Sequence, residues 1–353
     1  MLPKQPFTPA LLILMALAVS IMAFRNPAAS KKAPDWNAST GLSEIYAFIG
    51  AEYNQHGLEP RGLDSTQVER GQQIVLEGRA QTSPGGGRGK WVSKYYNCNS
   101  CHNMVFEEPH ALNTDPEARL AYARKNDMPF LQGTMLYGAV SRLRWYNGDY
   151  KKKYGEMVKE ARHDLRASIQ LCATQCAQGR ALKEWEMDAV VAYLWTRELN
   201  LGNLGIEGQQ LSKLQQAAVS PEGRDSLKRW LEAQYVTASP ATFADAPPDK
   251  AMGYSFEGRP EQGRAIYELG CRHCHRAGQV SGYILDYSRL TFRKLLRDMT
   301  EDDQESFYQS IRYGTSPVPG HRPYMPNYTL ERMSHQQVED LRAYVEQQAG
   351  LDG

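Results

Sequence analysis

The sequence has almost no net charge, few cysteines and, beyond its first residues, no long apolar run. Its 41 Lys and Arg balance 40 Asp and Glu, leaving +1 at pH 7 with His neutral. It therefore carries no global basic field to hold nucleic acid, and no like-charge run reads as a tail. A single apolar stretch excludes a polytopic channel or transporter. Six cysteines in 353 residues are too few for a disulfide scaffold. Alternating β-branched runs are scarce as well, which argues for an all-α chain. Hydrophobic residues make up 41% and charged residues 23%, as in an ordinary globular protein, and at roughly 150 residues per domain the length suggests two domains.

The one apolar stretch lies at the N-terminus. Lys4 precedes 20 uncharged residues from Gln5 to Phe24, centred on Leu11 to Val19, and Arg25, Lys31 and Lys32 follow. That length just spans a bilayer, and the basic-apolar order is that of an export signal or an anchor. Residues 1–33 are read as a membrane anchor. The alternative is a cleaved signal ending near Ala18, Ala23 or Ala29. Both readings place the rest of the chain outside the cytoplasm, on the periplasmic side of the cytoplasmic membrane.

What the sequence does have is a repeated motif. Cys98-Asn99-Ser100-Cys101-His102 and Cys271-Arg272-His273-Cys274-His275 are two copies of C-x-x-C-H, the attachment signature of c-type haem. Each thiol forms a thioether to a haem vinyl group and the adjacent His ligates iron, so the expected cofactor is two covalently bound haem c. A zinc ribbon would need the two pairs to converge, and Cys98 and Cys271 are 173 residues apart. A thioredoxin-like motif would need a βαβ context, which is missing.

The repeat extends beyond the motifs. Glu69-Arg70-Gly71-Gln72-Gln73-Ile74 precedes the first and Glu261-Gln262-Gly263-Arg264-Ala265-Ile266 the second. Gly71 lies 27 residues before Cys98 and Gly263 only 8 before Cys271, so the first copy carries a 19-residue insertion. Each copy closes with a helix. Met187, Val190, Val191 and Leu194 recur at helical spacing, with Gly202 as the expected stop. Ser334 caps the second with Gln337, and Val338, Leu341, Tyr344 and Val345 form its apolar face before Gly350. Ala192-Tyr193-Leu194 and Ala343-Tyr344-Val345 occupy equivalent places. The expected architecture is an anchor (1–33), a first cytochrome c domain (34–205), a linker (206–252) that starts polar and helical, and a second cytochrome c domain (253–353).

Six-coordinate haem needs a second axial ligand. For the second domain it is Met325, held between Pro323 and Pro326 and 50 residues after His275. Met299 and Met333 fall in or beside helices, and His321 is a polar competitor. The first domain has no Met-Pro in that place. Met128-Pro129 comes only 26 residues after His102, and Met135 is a further candidate. The corresponding position is taken by Cys172 and Cys176. These suggest a disulfide if the segment is looped, or a thiolate on iron.

Gly71, the Cys98–His102 motif, Cys172-x-x-x-Cys176-x-x-Gly179-Arg180-x-Leu182 and Glu186-Met187-x-Ala189-Val190-x-Ala192-Tyr193-Leu194 together resemble the dihaem thiosulfate dehydrogenase family. More distantly, they resemble the cysteine-ligated subunit of the SoxAX cytochromes. The second domain resembles a class I cytochrome c. The resemblance spans most of residues 60–350 and implies that Cys172 is the distal ligand of the first haem and its catalytic residue. The chain departs from that pattern. Gln175 stands where the family has Arg, Cys176 where it has Ser, and residues 105–165 are longer and rich in Tyr and Lys. Arg142, Arg144, Arg166 and Arg180 are the candidates to hold an anionic substrate.

The expected function is therefore a membrane-anchored dihaem cytochrome. It would pass single electrons between respiratory complexes, with an oxidase, a quinol-oxidising complex or another cytochrome as partner. The alternative is thiosulfate oxidation to tetrathionate at a Cys172-ligated haem. A thiolate stabilises ferric iron, so a His102/Cys172 haem would lie below a His275/Met325 haem in potential. The anchor is directly testable. Membrane fractions washed in high salt should retain the protein, because apolar anchoring is not screened; release of a soluble form beginning after Ala23 or Ala29 would show a cleaved signal instead.

Overall fold

Two helix crossings, each built around a glycine, organise the chain. The computed structural model describes residues 32–83, 85–112, 114–300, 306–315 and 325–350. The stretch 5–24 and His321 lie outside them. Among the described residues no helix is long and apolar enough to cross a membrane. The helices are α1 (Leu42–Ile49), α2 (Ser65–Glu77), α3 (Pro116–Lys125), α4 (Leu165–Leu171), α5 (Glu184–Trp195), α6 (Gly208–Ala217), α7 (Pro221–Glu232), α8 (Pro260–Ile266), α9 (Arg289–Thr300), α10 (Phe307–Tyr313) and α11 (His335–Ala349), with short turns between them. Among the described residues there are isolated β-bridges but no strands.

The crossings explain the repeat. Asp64 caps α2 by accepting from the Thr66 amide at 3.0 Å. The helix then buries Gly71, Ile74 and Val75 against α5. A Cβ on Gly71 would overlap the Ala189 carbonyl and press on Tyr193. In the second copy α8 crosses α11, and a Cβ on Gly263 would overlap the Asp340 carbonyl and press on Tyr344. The aligned Gly71/Gly263 and Tyr193/Tyr344 are thus one contact made twice.

α11 begins and ends where its signals stand. Ser334 accepts from the Gln337 amide at 3.0 Å, the Gln337 side chain accepts from the Ser334 amide at 3.1 Å, and Gly350 closes the helix at φ 79°. α5 stops earlier than Gly202. Thr196 turns its hydroxyl onto the Tyr193 carbonyl at 2.7 Å, and the Arg197 carbonyl accepts instead from the Gly138 amide at 2.7 Å. A competing tertiary bond ends the helix before the glycine is reached.

Residues 206–252 are not a free linker. Leu214 of α6 and Leu227 and Leu231 of α7 pack with Trp36, Leu42, Ile45 and Leu201 in one apolar cluster. The extended part is tied on both sides: the Leu143 amide donates to the Thr237 carbonyl at 2.7 Å and the Leu330 amide to the Thr242 carbonyl at 3.0 Å. Nor do the two cores divide at the sequence boundary. Leu120, Ala123 and Phe130, which belong to the first copy by sequence, are buried with Ile266, Phe292, Val338 and Val345 of the second.

A buried ion cluster links the stretch after His102 to Arg332. Glu107, Arg119 and Arg332 are 2%, 1% and 3% exposed. Arg332 grips both oxygens of Glu107 at 2.8 and 2.9 Å and donates to the Leu131 carbonyl at 3.0 Å. Arg119 reaches the Leu131 and Arg332 carbonyls and lies 3.8 Å over the Phe130 ring. Around the cluster, the Phe130 amide donates to the Leu269 carbonyl at 3.0 Å, and Ser334 and Arg259 both bond Glu117. Burial alone would raise Glu107, but the guanidinium groups of Arg332 and Arg119 override it and hold the carboxyl down at about 2. Its neighbour Glu108 is the reverse case. Burial, with the Glu107 charge beside it, lifts Glu108 to about 7 against the pull of Arg332.

Two tests follow from this packing. Gly263→Val should lower the melting temperature, because overpacking a closed contact costs about 1–3 kcal/mol, whereas Gly278→Val, at a position with open space around it, should cost only its backbone strain. Glu108 carries a pH signature. Its folded value, raised from 4.5 to about 7, means that stability is lost as pH rises through that window and stays lost above it. Glu108→Gln should therefore stabilise the protein near pH ~8, by at most about 3 kcal/mol, and have little effect near pH ~5; equal melting shifts at both pH values would remove this assignment.

Candidate haem-binding sites

The two C-x-x-C-H motifs reach the same end by different local routes. The first is a single 3₁₀ turn, Cys98–Ser100, after the long insertion. Asn97 fixes its entry: its side chain donates to the Leu76 carbonyl at 2.7 Å and accepts from the Ser100 hydroxyl at 2.5 Å. The insertion itself is pinned by Arg180, which bonds the Trp91 and Lys90 carbonyls at 3.1 and 2.8 Å. The second motif continues α8 through a π turn, Tyr267–Cys271, into a helical turn Arg272–His275.

The histidines then meet the same environment. His102 Nδ1 is 2.6 Å from the Thr134 carbonyl, and His275 Nδ1 is 2.8 Å from the Tyr283 carbonyl. A carbonyl can only accept, so in each ring Nδ1 carries the proton and Nε2 keeps a free lone pair. That is the tautomer and orientation an iron ligand requires. Burial lowers both imidazoles from their ordinary value, favouring the neutral form. Gly133 lies so close to His102 that an added Cβ would come within 2.6 Å of the ring. Cys98 packs on the first apolar core and Cys271 on the second. Burial pushes these two thiols up to about 11 and about 12. The residues fit a covalently attached haem in both places.

The motifs also abut. The His273 ring hydrogen-bonds the Ser100 backbone, and Cys101 and Cys274 lie within electrostatic range of each other. The sequence argument that the cysteine pairs cannot converge fails, because the arm of residues 116–131 brings the second copy against the first. The zinc reading meets a different obstacle. Among the described residues, no three His, Cys, Asp or Glu side chains gather as a metal-ligand set.

On the distal sides the copies differ. Met325 is held by two bonds to Thr315: its amide donates to the hydroxyl at 2.7 Å and its carbonyl accepts the Thr315 amide at 3.0 Å. Its side chain is partly buried on the core that also holds Cys271. Met299 and Met333 are each 1% exposed within that core. In the first copy Met128 packs on the second domain's core, and the amide of Met135 donates to Glu107 at 2.8 Å.

Cys172 and Cys176 open and close a π turn that continues α4. Both are free thiols, and they share a hydrogen bond. Tyr154 and Tyr146 place their hydroxyls 3.2 and 3.9 Å from Cys176 Sγ. The Cys172 hydrogen bond, then those hydroxyls and the Lys153 ammonium, hold Cys176 low, while Cys172 is pushed up. Sequence reasoning missed Lys153, which reaches across to the Tyr313 carbonyl at 2.9 Å and Asn327 at 2.8 Å. It also missed Thr134 and Tyr283, which act through backbone carbonyls and so leave no residue signature.

Of the arginines expected as candidates to hold an anionic substrate, three have other partners. Arg166 pairs with Asp188 and Arg180 with Glu186. Arg142 donates to Thr134, Met135 and Ser239, and Arg144 is exposed.

Comparison with known proteins bears on the second copy. Residues 258–345 match the family of cytochrome c oxidase, cbb3-type, subunit III. No curated protein and no solved structure matches the chain. The match takes in α8, the Cys271–His275 motif, Met325 and most of α11. With the locked His275 imidazole, it makes residues 258–345 a cytochrome c domain, which carries covalent haem c and transfers electrons.

Proposed function

We propose that the protein is a dihaem electron-transfer cytochrome, with one haem c at Cys98, Cys101 and His102 and a second at Cys271, Cys274 and His275. The observation that carries this reading is that the same histidine lock, Nδ1 on a backbone carbonyl, occurs in both copies. Each haem, when bound, cycles one electron between ferrous and ferric iron. The chain contributes the rest. The glycine crossings fix each site, and the arm of residues 116–131 fixes the two motifs against each other, so that a transferred electron need not wait for a domain movement. Met325 is proposed as the distal ligand of the second haem and Cys172 of the first.

On this reading, residues 5–24 hold the chain at the outer face of the cytoplasmic membrane. Its partners are redox proteins of the respiratory membrane: an oxidase, a quinol-oxidising complex or another cytochrome. The electron-carrier reading is preferred to thiosulfate oxidation because Arg166 and Arg180, two of the arginines that an anionic substrate would need, already neutralise Asp188 and Glu186. The test is the haem content of the purified full chain, by intact mass and by haem stain after denaturation, which thioether-linked haem survives. Two haems per chain are expected, falling to one in a Cys98→Ala/Cys101→Ala variant. A single haem in the unaltered protein would overturn the dihaem reading.

A further inference from the structure

We infer that Cys172 and Cys176 are a redox-active dithiol that closes to a disulfide and exchanges two electrons with the haems. As to where the electrons go, the inference rests on the dihaem reading above. As to the sulfur chemistry, it rests on the geometry of one turn.

A regular α-helix carries cysteines four residues apart on Cβ bonds poorly aimed for a disulfide. Here the chain leaves α4 and widens into a π turn, with the Ala177 amide donating to the Cys172 carbonyl at 2.8 Å, five residues back. The wider turn brings the fifth residue almost over the first, and the two sulfurs meet in a hydrogen bond. Such turns are rare and recur at functional sites. This one is stabilised locally: the Thr174 hydroxyl bonds the Gln170 carbonyl at 2.9 Å, and the Gly179 amide bonds the Ala173 carbonyl at 2.9 Å.

The surroundings polarise one sulfur. The hydroxyls of Tyr154 and Tyr146 converge on Cys176, and the Lys153 ammonium, itself fixed on Tyr313 and Asn327, acts on the same sulfur. Both sulfurs lie within electrostatic range of the first motif, Cys172 of Cys98 and Cys101, and Cys176 of Cys101. On the dihaem reading four of the six cysteines carry the haems, which leaves each of these two with the other as its cysteine partner.

The step balances within the holoprotein. From the ligated state the Cys172 S–Fe bond and the Cys176 S–H bond break, one S–S bond forms, one proton leaves, and two electrons reduce two ferric haems to ferrous, one each. The pair is thus a two-electron store matched to two one-electron acceptors. Closing it also withdraws Cys172 from any bond to iron.

The experiment uses the purified holoprotein with its thiols reduced, freed of reductant and held without oxygen. Ferricyanide is added in steps, then samples are denatured, alkylated and weighed, with the covalent haem counted in the same spectrum. Two labels at the start should fall together to none, with the loss of two hydrogen masses. With the haems first made ferric, the labels should disappear as two haems turn ferrous. Cys176→Ser should keep one label throughout. Two labels persisting after both haems are ferric would overturn the inference, as would loss of label through cross-linked dimers on a non-reducing gel. A chain that carries one haem yet closes the disulfide would refute the dihaem reading while leaving the dithiol standing.

Discussion

The ion cluster around Glu107 is the constraint on which the relative placement of the two copies depends. Burying a carboxylate and two guanidinium groups is costly, and removing one partner of such a set leaves an uncompensated charge that costs about 3–5 kcal/mol. A cluster of this kind adds little to stability compared with apolar packing, but it tolerates very few arrangements. Arg332 belongs to the segment leading into α11, and Glu107 and Arg119 to the stretch after His102. Satisfying these charges therefore fixes the helix that closes the second copy against the loop that follows the first motif. The Leu131 carbonyl, accepting from both arginines, extends the constraint toward Gly133 and Thr134, which seat His102. One network thus sets both the packing of the copies and the orientation of the His102 ring.

Much of this was legible in the sequence, and what was not has a physical explanation. The two C-x-x-C-H motifs and the equivalence of Gly71 with Gly263 and Tyr193 with Tyr344 could be read directly, the latter because a close helix crossing demands particular residues. Ser334, Gln337 and Gly350 marked α11 because capping is local chemistry. The docking of α6 and α7 was not readable: their periodicity shows an apolar face but not which surface covers it, and that surface comes from Trp36 and Leu42, far away in the chain. The exchange of Leu120 and Phe130 into the second core was hidden for the same reason. The partners of Arg166 and Arg180 were not readable, because a sequence shows charge without its partner, and Asp188 and Glu186 supply them.

The copies share their proximal side and differ on the distal side, and the 19-residue insertion lies in the copy whose distal side is unusual. The insertion and the distal segment are coupled. Arg180, four residues after Cys176, bonds the insertion at Trp91 and Lys90, and the Ser93 hydroxyl donates to the Ala177 carbonyl at 2.5 Å. Gly179 allows that approach, since a Cβ there would run into the Val92 carbonyl. In the second copy Cys271 follows Gly263 by only eight residues, and Met325 sits on a short extended segment tied to Thr315. The insertion therefore serves as a brace for the π turn that carries the two thiols. A regular helix would hold itself; a widened turn with two polarisable sulfurs needs external bonds to persist. The added chain in the first copy supplies them.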